Sequence, residues 1–144
     1  MRTFVIMAAA GALAFGLAPA GGRAEIVHFR AALDGAAETP PHPSDGKGVA
    51  EVKLDTDAQQ ITWTITYSGL SGPATAAHFH GPAGPGASAD AVVPITGNLS
   101  SPINGSARIG DAQIGDLRGG LWYINIHTAK FPPGEIRGQV LQVK

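Results

Sequence analysis

Downstream of residue 24 the chain alternates large apolar with small polar side chains, and no stretch holds a helical spacing. Ile61-Thr62-Trp63-Thr64-Ile65-Thr66-Tyr67 is the clearest case, with Ile61, Trp63, Ile65 and Tyr67 on one side and three threonines on the other. A period of two is the mark of a half-buried antiparallel strand. Val27, Phe29, Ala31 and Leu33 alternate in the same way with His28 and Arg30, as do Ala50, Val52 and Leu54 with Glu51 and Lys53. Leu121 to His127 and Ile136 to Val143 complete the recognisable strands. Between them lie Thr39 to Ser44, Ser68 to Pro73, Gly81 to Gly86 and Phe131 to Gly134, all dense in Pro and Gly, which end strands and reverse the chain. The pattern predicts an all-β domain: an antiparallel β-sandwich or flattened Greek-key barrel of about seven or eight strands. A short helical turn around Gln113 to Leu117 is allowed, and the glycosylation-like triplets Asn98-Leu99-Ser100 and Asn104-Gly105-Ser106 read as turns.

The same parity places the histidines. With Ala74 to His80 as a strand, Ala77 and Phe79 face the core, while Ala76, His78 and His80 share the opposite side. In Leu121 to His127, Trp122, Ile124 and Ile126 form the apolar side and Tyr123, Asn125 and His127 the other. Alternate residues of a strand stand roughly 6.5 to 7 Å apart. Imidazoles leaning together from that spacing reach one ion with bonds of about 2 Å, and a third from another strand completes the set. His78, His80 and His127 are therefore a candidate metal site for copper or zinc. A histidine pair at a strand end is equally suited to hydrogen-bonding the carbonyls of the glycine-rich loop that follows, and both readings stand at this level.

Composition narrows the setting. Arg2 followed by the apolar, Ala-rich run Phe4 to Leu17 and the small-residue endings Ala18-Pro19-Ala20 and Ala24 reads as a secretory signal peptide over residues 1–24, leaving one domain over 25–144. The apolar run is short for a membrane span and no later one is longer, so no membrane span is expected after cleavage. Removal of Arg2 and Arg23 leaves eight Lys/Arg against eleven Asp/Glu with no basic stripe, which argues against nucleic acid as a partner. The chain has no cysteine. An exported domain of this kind holds together through its core alone, and any metal must use His, carboxylate or backbone oxygen.

Catalytic motifs are missing from the pattern. There is no Gly-x-Ser-x-Gly elbow, no Gly-x-x-x-x-Gly-Lys phosphate loop and no evident carboxylate pair for glycoside chemistry, so no catalytic residues are assigned and the protein is not expected to be an enzyme. Glu135 and Arg137 share a side opposite Ile136, either as a surface ion pair or to brace His127. His42, set between two prolines, is a solvated loop residue or a fourth ligand, and His28 is expected to be exposed.

Ala76-Ala77-His78-Phe79-His80-Gly81-Pro82-Ala83, the run Gly119 to Ala129, and Phe131-Pro132-Pro133-Gly134-Glu135-Ile136-Arg137-Gly138-Gln139-Val140 together resemble the CHRD (chordin-type) domain. Leu33 to Pro41 and Gly46 to Ala50 fit the opening of that domain. The resemblance spans almost all of residues 25–144 and implies an extracellular or periplasmic β-sandwich, found singly in small bacterial exported proteins. Asp111 to Gly120 is short for the family. There is also a distant similarity to Cu/Zn superoxide dismutase, which implies that His78, His80 and His127 play copper-ligand roles with Arg137 nearby. The bridging histidine, the zinc ligands and the cysteine pair of that enzyme have no counterpart in this chain.

The expectation is thus a periplasmic or secreted single-domain binding or structural module. Its partner would be an envelope or extracellular protein or matrix component. The alternative is a mononuclear copper or zinc protein built on the three histidines, with no other cofactor.

Overall fold

A computed structural model describes residues 24–144; apart from Ala24, the signal peptide assigned to residues 1–24 lies outside the described residues. Eight strands run in one antiparallel sheet: β1 (Ile26–Asp34), β2 (Lys47–Asp55), β3 (Gln60–Ser68), β4 (Ala74–His80), β5 (Ala91–Ile95), β6 (Ile103–Arg108), β7 (Tyr123–Thr128) and β8 (Ile136–Gln139). A two-residue β9 (Leu141–Gln142) adds to β1, a 3-10 turn covers Gly35–Ala37, and one helix, α1, spans Asp111–Arg118. The spatial order β5-β4-β7-β8-β1-β2-β3-β6 curls into a nearly closed barrel. Among the described residues no helix is long and apolar enough to cross a membrane.

Alternation builds this barrel as expected. In β1, Val27, Phe29, Ala31 and Leu33 are buried and His28 is exposed; in β3, Ile61, Trp63 and Ile65 are buried beside exposed threonines. Phe79 of β4 meets Trp63 of β3 edge-on, with ring centroids 5.2 Å apart, and lies 5.8 Å from Trp122. These aromatics, with Leu54, Ile103, Ile124, Ile126 and Ile136, fill a single interior that only the inward-facing half of each strand can reach.

Several elements differ from expectation. The run Ile136 to Val143 is broken at Val140, whose N–H turns to the carbonyl of Trp122 (2.9 Å), so β8 pairs with β7 while β9 joins β1. The helical turn is real and longer than expected, Asp111–Arg118. Asn98 sits in a chain reversal that its own side chain closes onto the Ser100 N–H, whereas Asn104 lies within β6 and accepts from Thr64 Oγ1. The β5 and β6 strands had no clear sequence signature: Pro94 interrupts the first, and Asn-Gly-Ser looks like a turn. Both lie at the open edges of the sheet, where proline and irregular composition are tolerated.

Candidate metal centre

The site lies on the outer side of β4, β7 and β8. Antiparallel register sets His78 opposite Asn125 and His80 opposite Tyr123, with Ala76 opposite His127. On the far side of β7, Asn125 faces Arg137 and Tyr123 faces Gln139. The outward half of three adjacent strands thus carries one contiguous polar row. An irregularity in the β4–β5 pairing falls between Phe79 and His80, at the edge of this row.

Outward here does not mean exposed to solvent. Loops 81–90 and 129–135 fold over the row: His78, His80 and His127 are half-buried, and Asn125 is only 4% exposed. The three expected ligands do come together, each offering a ring nitrogen within 4.8 Å of the others. His78 Nδ1 lies 3.1 Å from His127 Nε2, and the rings of His78 and His80 meet edge-on at 5.5 Å. His127 Nδ1 donates to the Pro132 carbonyl at 2.7 Å, which leaves a lone pair on Nε2, pointing toward His78. His80 Nδ1 donates to the Ala89 carbonyl at 2.9 Å. These carbonyls do the orienting work that ligating histidines generally need. Burial, followed by the neighbouring His127 and His80, lowers the pKa of His78 and favours its neutral, ligand-ready form.

Tyr123 supports the cluster from beneath. Its ring stacks on His80 (4.9 Å, 4° between planes), and the Arg137 guanidinium sits 3.5 Å over the same ring. Its hydroxyl donates to the Ala89 carbonyl at 3.2 Å, the acceptor that also holds His80.

Two expectations are corrected here. Glu135 and Arg137 are neither a surface pair nor a brace for His127; they are 1% and 2% exposed and point to different partners. Arg137 donates to Thr39 Oγ1 and the Gly84 carbonyl. The Glu135 carboxylate accepts from the Ser44 hydroxyl, the Thr128 hydroxyl, and both the N–H and hydroxyl of Ser71, tying three loops together. Burial alone would raise its pKa, but those hydrogen bonds outweigh it and hold the group below the usual 4.5. His42 is neither a solvated loop residue nor a ligand. It stacks on Phe131 (4.3 Å) and its Nε2 reaches the Glu135 carbonyl at 2.9 Å, so it clamps the turn that carries Pro132.

Sequence reasoning passed over Glu38. Its carboxyl is buried with Oε1 unpartnered, and burial raises its pKa to about 7 against the pull of His42 and Arg137. Gly134, at φ +134°, is the reason it fits: a Cβ there would stand 2.5 Å from Glu38 Oε1 and 2.7 Å from Asn125 Nδ2. The Gly before Glu135 in Pro-Pro-Gly-Glu was the available signal, since a backbone with positive φ at a tight crossing demands glycine.

Residues 29–140 match the family model of the CHRD domain. No curated protein and no solved structure matches the chain.

Proposed function

The chain belongs to the CHRD-domain family, and from that premise we propose that it is an exported metal-binding protein holding one copper or zinc ion between His78, His80 and His127. The supporting observation is that three imidazoles from two strands converge, with the far nitrogens of His80 and His127 already anchored on backbone carbonyls. The nitrogen-rich donor set suits both ions, and the general affinity order places Cu(II) above Zn(II). The domain would act by holding its ion in the periplasm or outside the cell, as the reading of residues 1–24 suggests, and without catalytic chemistry of its own. Any envelope or matrix partner would meet it through the loops that cover the histidines.

Metal-stripped protein titrated with Cu(II) is expected to take up one ion per chain, and a His78→Ala/His80→Ala double variant to lose that uptake while keeping its fold by circular dichroism. Uptake unchanged in the double variant would refute the site.

A further inference from the structure

His80 Nε2 and Asn125 Oδ1 lie 3.0 Å apart. Because His80 Nδ1 spends its hydrogen on the Ala89 carbonyl, the neutral ring presents a lone pair at Nε2, and it faces an amide oxygen that is also an acceptor. Exchanging the amide's oxygen and nitrogen would give His80 Nε2 a donor, but only by breaking the bond from Asn125 Nδ2 to the Pro133 carbonyl (3.3 Å) and setting oxygen against oxygen there. Nor can the amide swing away freely: it is buried, with Gly134 so near that a Cβ there would stand 2.7 Å from its nitrogen. Two acceptors held face to face at this distance need either a proton or a metal cation between them.

A second contact, in which His78 Nδ1–H donates to the lone pair of His127 Nε2, has the spacing at which an ion could replace the shared hydrogen. His78 Nδ1 and His127 Nε2 are 3.1 Å apart. Around a tetrahedral ion with bonds of about 2.0 to 2.1 Å, neighbouring donor atoms stand about 3.3 Å apart. Both separations are close to that edge length.

We propose that Asn125 Oδ1 is the fourth donor, so that the site is a closed set of three imidazole nitrogens and one carboxamide oxygen. This inference rests on the metal-binding reading above. It adds a consequence: with the fourth position filled by protein, a bound Zn(II) has no position reserved for a water nucleophile, which fits holding an ion and not hydrolysis.

The test is titration of Cu(II) and Zn(II) into metal-stripped wild type, Asn125→Ala and Asn125→Asp, with electron paramagnetic resonance of the copper forms. As a ligand, Asn125 truncated to Ala lowers affinity by at least about tenfold, and Asn125→Asp raises it above wild type and shifts the copper spectrum, because an anionic oxygen replaces a neutral one. If Asn125 merely orients His80, an aspartate there accepts the Nε2 hydrogen, locks the ring as imidazolium and lowers affinity. A fall in both variants, or no change in either, therefore overturns the proposal while leaving the three-histidine site intact. Absence of histidine-dependent binding in the wild type overturns both. Should Asn125→Ala fail to fold, the sign of the Asn125→Asp effect still decides.

Discussion

Asn125 and Glu38 show how a single side chain takes its meaning from neighbours distant in sequence. Parity alone puts Asn125 on the side of His127, but its contact with His80 comes from β4 lying beside β7. Glu38 has a folded-state pKa of about 7 against an ordinary 4.5, so the native protein holds this proton more tightly than the unfolded chain. Its contribution to stability is therefore greatest below about pH 4.5 and is lost as pH rises toward and through 7. A Glu38→Gln variant is expected to be less sensitive to pH than wild type across that window and more stable than wild type at pH 8. Urea unfolding midpoints of the two proteins at pH 5 and pH 8 check this, and parallel midpoints at both pH values would contradict it.

Among the elements, β4 carries both roles of the molecule in alternate residues. Ala77 and Phe79 are core, His78 and His80 are site, and a slip of one residue in its pairing would exchange them. Phe79, wedged between Trp63 and Trp122, is what makes that slip costly. Phe79→Ala is expected to cost about 3 to 5 kcal/mol in chemical denaturation. The exposed Thr62→Ala on β3 is expected to stay within about 0.5 kcal/mol of wild type, since it leaves the core untouched. Equal losses at the two positions would argue against the strand faces described. Strands β1 to β4 were legible because their apolar residues alternate with polar or small ones, and β7 because Ile124 and Ile126 alternate with Tyr123, Asn125 and His127, although loops bury its outer side as well. The β5 and β6 strands were not, because edge strands need fewer apolar residues and accept Pro and Gly.

At the scale of the whole molecule, the barrel wall and the loops over it make one unit, with His42 and Ser44 holding one loop to the Glu135 turn, Thr128 holding that turn to β7, and Arg137 holding the Gly84 loop to β8. An ion held there would bind the folded chain and not the unfolded one, so saturating Cu(II) or Zn(II) is expected to raise the thermal midpoint. The gain is about 2.7 kcal/mol at a hundredfold excess over the dissociation constant. Calorimetry with and without metal measures it, and a rise that persists in the His78→Ala/His80→Ala variant would place the ion elsewhere. Alternation along the chain was enough to determine the all-β class, the inward set of Phe79, Trp63 and Ile126, and the common side of the three histidines, because side-chain direction in a strand depends only on residue parity. Which strands are neighbours, that Asn125 meets His80, that Glu135 and Arg137 go to separate partners and that loops bury the outer row were decided by tertiary structure. Those contacts join residues far apart in the chain, and no local periodicity encodes them.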